Sequence, residues 1–207
     1  MVQDRWLPRF VSRSEIKGIC ENFHKKYCKE LNFPLEIELI VEKKLNLHII
    51  PIAGIRALIG IDAFLRSDFS GIVVDNNEYL DDRYQNRLRF SIAHEVGHFI
   101  LHARAYKDLG IRSAGDYINS IQKLSEKAYS ALEWQANQFA GNILVPREEL
   151  AVSLTKARKA AERESLTSKL KDDLGQILAL LMPGISRKFG VSEKVIERRV
   201  EDEELWP

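Results

Sequence analysis

Five consecutive residues, His94-Glu95-Val96-Gly97-His98, constrain this chain more than any other part of it. They stand within residues 82–104, where apolar side chains recur at helical spacing. Histidines at i and i+4 lie on one helical face about one turn apart, so both imidazoles can grip one metal ion. Glu95 stands beside the first of them, where its carboxylate can take a proton from water at the metal without occupying a coordination position. The pattern is H-E-x-x-H. Two histidines do not complete a zinc site, which takes a third protein ligand and leaves a fourth position for water. The fold must therefore bring a second element against this helix.

The best candidate for the third ligand is Glu133, which opens Glu133-Trp134-Gln135-Ala136-Asn137 on a helical stretch from Ser125 to Val145. Asn137, one turn further on, can hydrogen-bond the free nitrogen of a ligating histidine and fix its orientation. Ala136, Ala140 and Gly141 run along a neighbouring strip, and small side chains there let two helices approach closely. Gly97 supports the same contact from the other helix, since glycine inside a helix costs ~1 kcal/mol against alanine. His102 continues the row His94, His98, His102, but on a straight helix it lies roughly 9 Å of rise beyond the midpoint of the other two. It reads as a helix-end or supporting residue. His48 falls out of phase with Leu47 and Ile49 and faces solvent, while Cys20 and His24 pack at the core edge.

The rest of the chain reads as an α+β fold. Ser12-Arg13-Ser14-Glu15 has capping-box spacing ahead of an amphipathic helix over 13–31. From Leu35 the period changes to two (Leu35, Ile37, Leu39, Val41), and further runs follow at 45–49, 55–64 and 71–75. These predict three or four short strands in a small antiparallel or mixed sheet, packed on a helical bundle that carries the H-E-x-x-H helix. The strand near Ile72–Asp75 is a candidate edge for an extended peptide. Residues 156–173 are charge-rich with mixed sign and read as a solvated helical face, and the apolar run Ile177–Met182 ends at Pro183-Gly184. Residues 1–150 form the site-bearing domain and 151–207 a C-terminal helical region.

Lys+Arg 31 against Asp+Glu 30 gives a formal charge of +1, which offers no whole-chain attraction to nucleic acid or acidic lipid. No 18-residue apolar run fits a membrane span, and the first ten residues hold Asp4, Arg5 and Arg9 where a leader would be apolar. Cys20 and Cys28 would stand ~12 Å apart along one helix, too far for a disulfide. The expectation is a reduced, cytoplasmic protein with no membrane partner.

The stretch Arg89-Phe90-Ser91-Ile92-Ala93-His94-Glu95-Val96-Gly97-His98-Phe99-Ile100-Leu101-His102 resembles the active helix of the ImmA/IrrE family of zinc metallo-endopeptidases. Glu133-Trp134-Gln135-Ala136-Asn137-Gln138-Phe139-Ala140, followed by Leu144-Val145-Pro146, resembles that family's second motif, and Gly71–Asn76 the strand that enters the active helix. The resemblance implies a zincin-like domain with a gluzincin-like site. One Zn2+ per chain would be held by His94, His98 and Glu133, with Glu95 as general base. The implied partner is a protein substrate, a helix-turn-helix transcriptional repressor whose cleavage releases gene expression. The chain departs from the pattern in the 34 residues between His98 and Glu133, so 106–128 reads as an insertion or lid, and in the extra length of 156–182.

Residues 185–200 look like the helix-turn-helix segment that follows the protease motifs in this family, with Lys194, Arg198 and Arg199 as the side chains that would meet DNA or a partner. Glu193, Glu197 and Glu201–Glu204 set acidic charge beside them, which favours a structural or partner-docking pair over DNA binding. The alternative function is a regulator that binds DNA or a repressor on the same scaffold without cutting. The oxyanion stabiliser is open among Tyr79, Tyr84, Tyr106, Tyr117 and Tyr129.

Overall fold

The computed structural model describes residues 9–28, 30–163 and 173–206. Asp4 and Arg5, on which the no-leader expectation partly rests, lie outside the described residues, as does 164–172 of the charge-rich stretch. In chain order come α1 (Arg13–Tyr27), α2 (Ile37–Lys43), β1 (His48–Ile52), α3 (Ile55–Ile59), β2 (Ala63–Leu65), β3 (Gly71–Asp75) and α4 (Asn76–Tyr79). A 3-10 turn (Asp82–Tyr84) leads into α5 (Gln85–Leu101), α6 (Ala103–Leu109), α7 (Ala114–Ile121), α8 (Glu126–Leu144), α9 (Arg147–Arg163), α10 (Leu174–Phe189) and α11 (Glu193–Glu203).

Local sequence accounts for the helix starts. Ser12 and Glu15 close the expected capping box on α1, Ser113 and Asp116 close another on α7, and the Ser125 side chain caps α8. The fold is α+β with a three-stranded mixed sheet of order β1-β3-β2, β1 parallel and β2 antiparallel to β3. Helix α5 sits against β2 and β3 on one side and against α8 on another, and α1 packs on α8 in turn. The shared core runs from Ile72 and Val74 of β3 through Ile92 and Val96 of α5 to Phe139 and Ile143 of α8.

Several expectations fail here for identifiable reasons. Residues 37–43 are helical, because the buried positions are Ile37, Ile40 and Val41, a helical triplet, while Leu39 is half exposed and was a false member of the period-two pattern. Residues 55–59 form a helix bracketed by Gly54 and Gly60, both left-handed (φ 78° and 75°), so only Ala63–Leu65 of that run is strand. The 82–104 stretch is not one helix: it leaves helical geometry at His102 (φ −123°, ψ 15°) before α6 begins. Strand β3 is central, not an edge, since both its sides are paired. Helix α10 continues through Pro183 and Gly184 to Phe189.

The C-terminal helices are welded to the site-bearing helices. Gly190, between α10 and α11, is left-handed (φ 61°) and its carbonyl accepts from Arg89 Nη1 of α5 at 2.7 Å. Phe189 meets Phe33 edge-on at 4.9 Å. Arg199, a sequence candidate for nucleic-acid contact, is buried: its Nε donates to Val145 O at 3.2 Å and its Nη1 stands 3.0 Å from Glu203. Glu203 also pairs with Lys17 and Arg147, so Arg199 and Glu203 together tie α11 to the end of α8, to α1 and to α9. Lys194 and Arg198 stay exposed, beside Glu193 and Glu197. A Cβ at residue 190 would stand 2.5 Å from Arg89 Nη1 and 2.7 Å from Pro34 Cβ. Gly190→Ala should therefore cost about 2–4 kcal/mol, backbone strain and overpacking together, read as a lower urea midpoint with an unchanged m-value.

Candidate metal centre

The site is built where α5 and α8 touch most closely. A Cβ at Gly97 would meet Ala136 Cα and Ala136 O at 3.1 Å and Phe139 Cβ at 3.3 Å, so the missing side chain on α5 is what lets the α8 backbone come in. That approach brings Glu133, one turn before the contact on α8, over the two histidines of α5. His94 Nε2 lies 3.3 Å from Glu133 Oε2 and His98 Nε2 lies 3.4 Å from Glu133 Oε1. The two histidine Nε2 atoms are 3.0 Å apart. All three side chains that the sequence singled out as ligands thus meet at one point.

The chemistry of this donor set suits a cation. His94 Nδ1 is 3.0 Å from Asn137 Oδ1, an acceptor, so His94 carries its proton on Nδ1 and turns a lone pair toward the centre. That lone pair faces two carboxylate oxygens and the other imidazole nitrogen, a convergence of acceptors that a positive charge must resolve. Ligand atoms around a tetrahedral zinc stand roughly 3.3 Å apart at ordinary bond lengths, which matches these spacings. Burial acts against charge, but the two imidazoles beside it hold the Glu133 carboxyl well below its ordinary range. His94 is likewise buried, yet Glu133 raises its proton affinity, whereas burial presses His98 down to about 4.

Glu95 is buried beside this group, with a ligand atom within 4.8 Å of those of His94 and His98. Its Oε2 accepts the backbone N–H of Leu65, on β2, at 2.8 Å, a partner no sequence pattern reveals because it is a main-chain group. Burial pushes its carboxyl up to about 7, and the Glu133 charge adds to this, while His94 and the Leu65 bond oppose it. One carboxylate is held ionised and the other near neutrality by their surroundings, the separation expected of a ligand and a proton carrier. The N-terminal end of α5 is anchored by a charge box: Arg56 and Arg87 each pair with both Asp62 and Glu78, and Ser91 Oγ donates to Asp62 at 3.4 Å. Arg56 and Asp62, which only interrupt an apolar run in the sequence, are half of that box.

The tyrosines separate. Tyr79 donates to Glu38 at 3.2 Å and Tyr84 lies under Arg87, both away from the acceptor cluster. Tyr106 stacks at 4.7 Å on the His98 ring. Tyr117 and Tyr129 lie side by side, and burial with the Glu95 and Glu133 charges raises both. The stretch between the two motifs holds two short helices, α6 and α7, which bring Tyr106 and Tyr117 to the site. It is pinned to the sheet by Ser67, whose N–H donates to Ile111 O at 2.7 Å and whose Oγ accepts from Ile111 N at 2.8 Å. His102 does not join the ligands; its Nδ1 lies 3.0 Å from His98 Nδ1. His48 is exposed, and His24 Nε2 donates to Ile143 O at 2.9 Å in the core, as its place on α1 predicts.

The sequence profile of a peptidase family described as the IrrE N-terminal-like domain matches residues 79–201, more than half of the 207-residue chain. The match starts just before α5 and runs through α8 into α11. No curated protein gives a match to the chain. No helix among the described residues is long and apolar enough to cross a membrane.

Two outcomes follow from this geometry. Gly97→Ala should force α5 and α8 apart and lower zinc affinity on the order of tenfold, about 1.4 kcal/mol of strain at the contact, measured by competition with a chromophoric chelator. The second concerns pH in the metal-free chain. The folded Glu95 keeps its proton to about pH 7 against an ordinary value of 4.5, so the folded state binds more protons across that window. Stability from this group is full below pH 4.5 and is lost as pH rises through 7. His98 and His102, held neutral by burial, tilt the same range the other way, so the difference from Glu95→Gln is the measure. Wild type should lose on the order of 3 kcal/mol relative to Glu95→Gln between pH 4.5 and 8, by urea denaturation at each pH.

Proposed function

The chain belongs to the IrrE N-terminal-like peptidase family, and on that premise we propose that it is a zinc-dependent endopeptidase that hydrolyses a peptide bond in a protein partner. The observation that carries this reading is the convergence of His94, His98 and Glu133 from two helices onto one point, with the buried Glu95 beside it. A transcriptional repressor is the partner class that the family resemblance suggests.

In this reading His94, His98 and Glu133 hold the zinc. When bound, zinc polarises the scissile carbonyl and makes water a nucleophile near neutral pH. Glu95 takes the proton of the attacking water and passes it to the leaving amine. A carboxyl whose pKa lies at about 7 is matched to both transfers. Leu65 N–H fixes Oε2 of that carboxylate, which leaves Oε1 for the proton. Asn137 keeps His94 in the tautomer that presents its Nε2 lone pair.

The substrate strand belongs at β2 instead of β3. Asp62 O and Arg66 N bond β3 (to Asp75 N and Gly71 O), so by alternation the main-chain groups of Ala63 and Leu65 point away from the sheet, toward α5. An extended peptide pairing on that side would bring its carbonyl to Glu95. Arg199, buried and ion-paired, is not free to meet DNA, which supports a structural part for the C-terminal pair.

The test is zinc content by elemental analysis, followed by terminal-amine labelling of a cell lysate incubated with wild type and with Glu95→Gln. Wild type should carry one zinc and create new N-termini; Glu95→Gln should keep the zinc and lower cleavage by at least ~100-fold. Glu133→Ala should weaken zinc binding. Equal cleavage by Glu95→Gln would remove Glu95 as the base, and a full zinc load with no new termini from wild type would favour the non-cleaving regulator.

A further inference from the structure

We propose that His102 is a positioning residue: its Nδ1 accepts the Nδ1–H of His98 and so turns the Nε2 lone pair of His98 toward His94 and Glu133. The consequence for metal binding rests on the zinc reading above.

The two Nδ1 atoms are 3.0 Å apart, so one proton lies between them. If His102 supplied it, His98 would carry its own hydrogen on Nε2, aimed at His94 Nε2 and Glu133 Oε1, and could not ligate. If His98 supplies it, the Nε2 lone pair is free. Asn137 imposes the same tautomer on His94 from the other side, which makes the two ligands equivalent toward the centre. A ligating histidine ordinarily hands its second N–H to a carboxylate or carbonyl. Here a third imidazole does this work.

The local backbone serves the arrangement. The chain leaves helical geometry at His102 while its N–H still donates to His98 O at 2.9 Å, and Tyr106 N then donates to His102 O at 2.8 Å. Tyr106 in turn stacks on the His98 ring, so that imidazole is held by a hydrogen bond at one edge and an aromatic face on its plane. His102 is 2% exposed and faces the Gln135 side chain, away from the metal-site cluster. Burying an imidazole costs free energy that a leucine or phenylalanine of similar bulk would avoid. The Nδ1 acceptor it offers His98 is what such a residue would lack.

The experiment compares zinc affinity, by chelator competition, among wild type, His102→Phe, His102→Asn and His102→Gln, with melting temperatures as a check on folding. Phenylalanine fills the space without an acceptor and should lower affinity about 10- to 100-fold. Asparagine places its Oδ1 near the lost Nδ1 and should recover affinity to within about threefold. Glutamine keeps polarity but sets its oxygen near the Nε2 position, and should not recover it. In zinc-loaded wild type and His102→Asn, nitrogen-edited proton NMR should show a downfield, slowly exchanging Nδ1–H on His98 that shifts upfield in the other two. Should the phenylalanine variant fail to fold, the contrast of glutamine with asparagine decides. Zinc binding by His102→Phe within about threefold of wild type, or no difference between asparagine and glutamine, overturns the proposal. A wild type that binds no zinc overturns the metal reading itself and this one with it, a pattern distinct from either.

Discussion

The approach of α5 to α8 at Gly97 and Ala136 is the contact on which the site depends. Glu133 can reach the histidines only because backbone meets backbone there, with no Cβ between. The cost is a glycine inside a helix, about 1 kcal/mol, and the return is a cluster of donor side chains drawn from two rigid elements, not from loops. Packing on both sides keeps the register. Sheet and α2 press on α5, α1 presses on α8, and Phe139 is fully buried at the junction. A shift of either helix by a fraction of its pitch would separate carboxylate from imidazole.

Gathering three histidines and two glutamates is expensive when His98, His102 and Glu95 are buried and His94 and Glu133 partly so, and the structure offsets this with defined partners. Asn137 serves His94, His102 serves His98, and Leu65 N–H serves Glu95. What the protein's own groups do not neutralise is the centre itself, where acceptors face one another. The same economy appears at the base of α5, where Arg56 and Arg87 answer Asp62 and Glu78. Oppositely charged pairs are placed at the element that carries the chemistry, so its position is set by directed bonds as well as by apolar packing.

The C-terminal helices belong to this same body. Arg89 on α5 holds the carbonyl of Gly190, and Arg199 on α11 lies over Gly141 of α8, with its Cδ 3.0 Å from where a Cβ would be. Each of these two arginines uses its charge on a main-chain carbonyl or a buried carboxylate. The charge left on the outer face of α11 is mixed, Lys194 and Arg198 beside Glu193 and Glu197. Such a face has little net attraction for a phosphate backbone.

Residue pattern alone put His94, Glu95 and His98 on one helix with the two imidazoles on one face, because an i, i+4 pair has one helical geometry and needs no other part of the chain. It also put Glu133 and Asn137 one turn apart on a second helix, and gave the capped starts of α1 and α8 and the small-residue seam, since these are spacings within single elements. It misjudged 37–43, where Leu39 completes an alternation that burial does not follow, and 55–64, where two left-handed glycines cut a helix out of a presumed strand. Only the tertiary structure decided which strand is the edge, that Leu65 lends its N–H to Glu95, that His102 stands behind His98, and that Arg199 is interior. The reason is the same in each case. These are contacts between elements distant in sequence or made by main-chain atoms that every residue shares, and side-chain periodicity carries no information about either.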